Sequence, residues 1–193
     1  MVVLPGQIIP LHIFEQRYKD LINQCQKGEE FGVNFSSDLG LAVMGCSVKI
    51  KSIIKKYEDG TVDLLIEGHR RYKLDKVIGD KSFDQGEVEF IQEEEDLGLP
   101  QERIDKFMDL HAKVAKVSGL RNSLAVGDGF LSYKSACDLA LDNMQRQTLL
   151  ELSAEGDRIV WLSDLYKIIL SANAEGSKEI EGVSEDPGLG NIH

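Results

Sequence analysis

The sequence has no C-x-x-C pair, one tryptophan and four prolines. It also has no apolar run approaching the roughly 20 residues that a membrane-spanning helix needs. Its three cysteines, Cys25, Cys46 and Cys137, are scattered and odd in number. That excludes a disulfide framework and zinc-ligand spacing, and it points to a reducing, cytoplasmic setting with the thiols as small buried side chains. The opening MVVLPGQIIPLHIF lacks a basic leader and is interrupted by two prolines, so it reads as folded strand and not as a signal peptide. Positive charge is scarce as well. A formal net charge of −11 repels phosphate backbones and argues against nucleic acid as a partner of the surface as a whole.

Signatures of catalysis are also missing. There is no G-x-S-x-G elbow and no H-E-x-x-H. Gly40 to Ser47, GLAVMGCS, follows a phosphate-loop pattern until Cys46 stands where the lysine must be, and a thiol cannot supply that charge. None of His12, His69, His111 and His193 lies at metal-ligand spacing from another. His111 falls near an apolar helix stripe and reads as a hydrogen-bonded core histidine, while His12 is expected to face away from the core. The run Glu93 to Asp96 reads as a solvated linker, because consecutive side chains point in different directions and seldom converge on one ion. No catalytic residue, cofactor or metal is therefore assigned.

What is present is an ordinary globular composition, 42% hydrophobic and 28% charged, in 193 residues. That length suffices for one domain, or for a compact domain with a smaller helical one. Val2 to Ile13 reads as extended. Phe14 to Gln26 reads as a helix, with Phe14, Tyr18, Leu21 and Cys25 on one face and Gly28 ending it. From Phe31 to Ile91 the period becomes two. Val48, Ile50, Ser52 and Ile54 share one side, Val62, Leu64 and Ile66 share another, and Asp59-Gly60 marks a tight turn. Gly68, Gly79 and Gly86 read as breaks. Glu93 to Pro100 is the expected boundary. Beyond it lie a helix to Gly119 with Ile104, Phe107, Leu110, Val114 and Val117 inward, a loop through Gly127 and Gly129, and a helix from Tyr133 to Leu141. Asp142-x-x-Gln145 then opens a capped helix with Leu149 and Leu150 buried. A last helix, Asp157 to Leu170, buries Ile159, Leu162, Tyr166 and Ile169. Strands first and helices second make an α+β fold, divided as residues 1–92, 100–170 and a flexible acidic tail, 171–193.

Between Met44 and Lys81 nine Lys/Arg stand against six Asp/Glu, a local +3 that leaves −14 for the remainder. Ordinary solvated strand edges are the plain explanation, and an acidic peptide is the partner such a face suits. Within it, Arg70 and Arg71 follow a strand. Their planar forks suit an internal carboxylate first and a ligand carboxylate second.

Three segments resemble the Lon protease N-terminal domain family. They are VVLPGQIIPLHIFEQRY (Val2 to Tyr18) with FGV (Phe31 to Val33), GCSVKIKSIIKKYEDGTVDLLIEGHRRYKL (Gly45 to Leu74), and the helical stretches Asp142 to Leu152 and Arg158 to Leu170. The resemblance implies a partly closed, antiparallel PUA-like β-barrel followed by a C-terminal α-helical bundle. In Lon this domain precedes an ATPase module and a Ser-Lys peptidase, and it helps select substrates and assemble the hexamer. Neither module is expected here. Family members carry a further strand before the Pro-Gly motif, so the barrel is expected to lack a strand edge or to start late. Leu4 also replaces a phenylalanine. The missing C-x-x-C pairs exclude the relatives with a zinc-binding domain.

The expected function is a non-catalytic protein- or peptide-binding module. Its partners would be unfolded or exposed protein segments and, as an adaptor, a protease or chaperone; homo-oligomers are compatible with it and membranes are not. Arg17, Arg70 and Arg71 are the candidate peptide-binding residues. The alternatives are an RNA-binding PUA-like barrel and a hydrolase using His12 or His69.

Overall fold

A computed structural model describes residues 1–183 except 26–27, 39, 80–81, 94–98, 121–123 and 125–129, and gives the backbone course alone for 175–183. The loop expected through Gly127 and Gly129, residues Glu94 to Asp96, and 184–193 lie outside the described residues. In chain order the elements are β1 (Ile8–Ile13), α1 (Gln16–Gln24), β2 (Glu30–Ser37), β3 (Gly40–Lys56), β4 (Val62–Ile78), β5 (Gln85–Phe90), α2 (Gln101–Ser118), α3 (Leu131–Cys137), α4 (Asn143–Glu151) and α5 (Glu155–Val183). Apart from α1 the strands precede the helices, as the change of period predicts, and the class is α+β. The phosphate-loop look-alike is plain strand, the start of β3.

All strand pairings are antiparallel, and the path β1-β4-β3-β2 does not close. β4 is the spine. β3 runs along one side of it, while β1 pairs with Val62 to Glu67 and β5 with Tyr72 to Ile78. Asp59-Gly60 turns the chain from β3 into β4. Gly60 takes φ +80°, its N–H donates to the Tyr57 carbonyl at 3.1 Å, and the Asp59 Oδ1 accepts from the Thr61 N–H at 2.9 Å. Three register shifts along β3, each a place where a strand bends, interrupt the alternation. Val62, Leu64 and Ile66 are buried as expected. On β3 the expected apolar side is broken: Val48 is buried, but Ile54 is 60% exposed.

Gly68 does not end the strand. β4 passes through it, because the N-terminal segment crosses there and needs the missing side chain. A Cβ at Gly68 would stand 2.1 Å from the Leu4 carbonyl oxygen. Two backbone hydrogen bonds fix the crossing, Gly6 N–H to the Gly68 carbonyl at 2.9 Å and Gly68 N–H to the Gln7 carbonyl at 2.8 Å. Val2 to Leu4, expected as strand, is instead irregular chain buried in the core, with the Val2 N–H donating to Asn143 Oδ1 of α4 at 3.2 Å.

The helices deviate from the sequence reading at their edges. α1 is shorter than Phe14 to Gln26 and buries Ile22, while Phe14 (65%) and Tyr18 are exposed. α2 ends on Gly119 in the left-handed conformation, as expected. Its buried face is Ile104, Phe107, His111, Val114 and Ala115; Val117, beyond the last buried turn and off that face, is exposed. α3 is Leu131–Cys137, not Tyr133 to Leu141. The Asp142/Gln145 capping box is formed in both directions, at 2.8 and 3.0 Å. α5 continues past Leu170 to Val183, because Ala172, Ala174, Lys178 and Glu179 favour helix over the tail expected there. Phe107 stacks on Tyr166 at 5.6 Å to join α2 to α5, and one continuous core links Leu4, Leu64 and Ile66 to Leu149, Leu150 and Leu162.

Candidate functional site

Where the sheet meets the helices, two arginines are buried almost completely. Arg71 on β4 and Arg158 on α5 keep 2% and 1% side-chain exposure. Glu93, just past β5, bridges them: it accepts from Arg71 Nε, and from Arg158 Nη2 at 3.2 Å. Arg158 also pairs with the buried Glu155 at 3.1 Å, and Glu155 accepts from the Ser132 N–H at 2.8 Å. Both guanidinium groups cap the end of α4. Arg71 donates to the Leu150, Leu152 and Ser153 carbonyls at 2.6, 2.9 and 3.1 Å, and Arg158 donates to those of Leu152 and Ser153 at 2.9 and 3.2 Å. Carbonyls that a helix leaves unpaired at its C-terminus thus meet fixed positive charge. Glu93 is therefore not part of a solvated linker.

Above this cluster opens a groove of about 800 Å³. Its walls are the Pro5-Gly6 turn, Glu67, His69 and Arg70 of β4, Phe90 and Ile91 at the end of β5, and Phe130, Tyr133, Lys134 and Asp138 on and around α3. A volume of that size with aromatic walls and a few polar groups is typical of a ligand site. Phe130 and Tyr133 meet edge to face at 6.0 Å, and the Arg158 guanidinium lies 4.5 Å from the Tyr133 ring centroid. The Tyr133 hydroxyl is buried and has no hydrogen-bond partner among the described residues.

At the groove's edge Glu30 gathers the basic groups. Arg70 donates to it through Nε at 3.3 Å and Nη2 at 3.1 Å, His69 Nδ1 lies 2.9 Å away, Lys49 Nζ 3.5 Å, and the Ser47 hydroxyl donates at 2.7 Å. Burial alone would raise its carboxyl pKa, but hydrogen bonds from Ser47, His69 and Arg70 outweigh it and hold it down at about 2. The Arg70 guanidinium sits over the Phe90 ring, 3.6 Å from its centroid.

The structure separates the three candidate arginines. Arg70 is half exposed and lines the groove. Arg71 reaches the groove's base, with its donors engaged by Glu93 and three carbonyls, the internal pairing expected first for it. Arg17 lies elsewhere, paired with Glu15 at 2.9 Å and over the Tyr18 ring at 4.5 Å. Part of the basic stretch is matched by internal acids, Lys51 with Glu67, and Lys49 and Arg70 with Glu30.

Among the described residues neither histidine of the hydrolase alternative hydrogen-bonds a nucleophilic hydroxyl or thiol. His12 is exposed and bonds Asp63, which also accepts from the Tyr57 hydroxyl at 2.6 Å. His69 and Ser47 both bind Glu30, so the acid stands between them, whereas general-base activation needs the imidazole beside the hydroxyl. His111 is a core histidine bonded to the Tyr166 hydroxyl at 2.7 Å, and burial lowers its pKa. Burial pushes the Cys46 and Cys137 thiols up to about 12 and about 11, so they are poor nucleophiles at neutral pH. Among the described residues no cluster of His, Cys, Asp and Glu could hold a metal ion, and no helix is long and apolar enough to cross a membrane. Sequence reasoning missed Glu30, Phe90, Glu93, Phe130, Tyr133 and Arg158. Arg158 left a usable trace, since it sits on the stripe of Ile159, Leu162 and Tyr166, where a buried cation demands an acid.

Comparison with known proteins agrees with this architecture. Lon protease of Cytophaga hutchinsonii is 22% identical over 184 aligned positions, which cover 86% of this chain and 22% of that protein. Lon protease 1 of Hydrogenovibrio crunogenus is 25% identical over 176, covering 82% and 22%. The chain thus spans about a fifth of the length of the curated relatives it matches. Among solved structures, the Lon N-terminal domain protein from Xanthomonas campestris superposes with a TM-score of 0.65 at 28% identity, covering 83% of this chain and 90% of that one. The N-terminal domain of Mycobacterium avium complex Lon protease does so with 0.61 at 18% identity, covering 86% and 92%. The family profile of the ATP-dependent protease La (LON) substrate-binding domain matches residues 1–167, and the chain belongs to that family.

Proposed function

We propose that the chain recognises extended or unfolded protein segments in the groove between sheet and helices. The observation that carries this reading is the groove's aromatic wall, Phe90, Phe130 and Tyr133, set on a rigid base of buried ion pairs. Aromatic side chains give large, sequence-tolerant contact area, which is what a reader of many different unfolded segments requires. The family to which the chain belongs is described by substrate binding, and that supports the same role. In our reading residues 1–92 form a partly closed PUA-like barrel and 100–170 a helical bundle, with the ligand held where they join. The module contributes recognition and no chemistry. It works in the cytoplasm as an adaptor that passes clients to a protease or chaperone, with oligomerisation open to it.

The test is fluorescence anisotropy with a labelled, reduced and carboxymethylated protein that cannot fold. The wild-type chain is expected to bind it saturably. Phe130→Ala is expected to weaken binding about tenfold while thermal unfolding shifts by only a few degrees, as expected for loss of one anchoring aromatic. Absence of wild-type binding, or a Phe130→Ala variant that binds equally well, would sink the reading.

A further inference from the structure

The groove presents hydrogen-bond donors that the protein leaves unanswered. Arg70 commits Nε and Nη2 to Glu30, and its ring contact with Phe90 fixes the plane of the guanidinium. Nη1 has no hydrogen-bond partner among the described residues. Tyr133, 2% exposed, lines the same groove with an unpartnered hydroxyl. The buried Tyr133 donor without an acceptor is costly and marks a place where a ligand completes the bonding, while Nη1 of the half-exposed Arg70 is answered by solvent alone. The missing element is therefore an acceptor.

Two kinds of acceptor occur in an unfolded protein segment, carboxylates and main-chain carbonyls. Arginine recognises carboxylates through its fork, with two parallel N–H bonds. Glu30 already occupies the Nε/Nη2 fork of Arg70. What remains is the Nη1/Nη2 end of a guanidinium whose charge Glu30 already offsets, together with a phenol, and such donors suit uncharged oxygens. Glu30 is also held ionised, which cancels much of the charge that would attract an acid.

We propose that Arg70, oriented by Glu30 and Phe90, and Tyr133 donate to main-chain carbonyls of a segment lying extended in the groove. Affinity is thereby set by backbone and apolar contact, largely independent of the segment's charge. This rests on the groove being the segment-binding site. Arg70 is then the specificity-determining residue, and Glu30 is a positioning residue that blocks acid-selective binding.

The experiment uses the full chain and two labelled unstructured peptides, identical except for one central Glu or Gln flanked by apolar residues. The wild-type chain is expected to bind both within about twofold and with little dependence on salt. Arg70→Lys, which keeps the charge but loses the planar donor, is expected to weaken both by about five- to tenfold, the scale of one hydrogen bond. Glu30→Gln frees the fork and is expected to tighten the Glu peptide over the Gln peptide by about fivefold. Tyr133→Phe is expected to weaken both peptides without lowering the unfolding temperature, an outcome that a purely structural tyrosine would not give. Selective binding of the Glu peptide by the wild-type chain, or an Arg70→Lys loss confined to that peptide, overturns the proposal in favour of charge readout. Equal binding by wild type and Arg70→Lys overturns it while the groove reading stands. Failure of the wild-type chain to bind either peptide removes the groove reading itself, and this inference with it.

Discussion

Replacing Glu93 by glutamine preserves the side chain's shape and removes the negative charge between Arg71 and Arg158. Both guanidinium groups are at most 2% exposed, so water cannot take over. Among the described residues Glu155 then remains as the counter-charge beside Arg158, and Arg71 is left with carbonyl partners alone. Removing one member of a buried ion pair costs about 3–5 kcal/mol. Glu93 retains 17% exposure, and the amide still offers one acceptor, so the lower range applies, about 2–3 kcal/mol. For a chain of this size that lowers the unfolding temperature by about 4–12 °C. Urea unfolding followed by the fluorescence of Trp161, half-buried against the core, measures it directly. The double variant Arg71→Met/Glu93→Leu is expected to be more stable than Glu93→Gln, because it removes the stranded charge as well. A Glu93→Gln loss below about 1 kcal/mol, or a double variant that is much worse, would refute the view that desolvated charge governs this junction.

Gly68→Ala is expected to destabilise by about 2–4 kcal/mol, since the new Cβ would stand 2.1 Å from the Leu4 carbonyl oxygen and that backbone is held by two hydrogen bonds; chemical denaturation measures the loss, and a change within about 0.5 kcal/mol would show that the crossing can yield. Glu30 has its pKa depressed to about 2 in the folded chain, so its contribution is fully present above the unfolded value near 4.3 and is lost as pH falls toward 2. Solvent screening at this half-open site holds that contribution to about 1–2 kcal/mol. Glu30→Gln should therefore flatten stability against pH between about 4.5 and 2, and an unchanged acid limb in stability measured across that window would contradict the assignment.

Local chemistry was legible in the sequence wherever a few neighbouring residues decide the conformation. Asp59-Gly60 marked its turn, Gly119 its helix end, and Asp142 with Gln145 its capping box, because each acts over a handful of bonds. Period two on β4 found Val62, Leu64 and Ile66. The same argument failed on β3, where register shifts move Ile54 outward. It failed at Gly68, where composition suggests a break and the true cause is a chain crossing from more than sixty residues earlier. The site was read least well for the same reason. Arg71, Glu93 and Arg158 meet only after the sheet and the helices have packed, and the groove exists between elements and not within one. Of the three candidate arginines the sequence could rank none. Burial separates them at once, placing Arg71 in the framework and leaving Arg70 exposed on the groove wall.

The arrangement of β4 also bears on how the sheet comes apart. Three strands hydrogen-bond to it, β3 on one side and β1 and β5 in tandem on the other, while β2 hangs on β3 alone. β2 and β5 can each peel away and leave the other pairings intact, but no opening of β4 spares any pairing except that of β2 with β3. Of Leu64 to Ile66, the amide protons that face β3 can therefore exchange only when β4 itself opens, whereas those of the edge strand β5, beside the groove, exchange through a local opening. The rim of the groove is thus free to breathe against a strand that cannot.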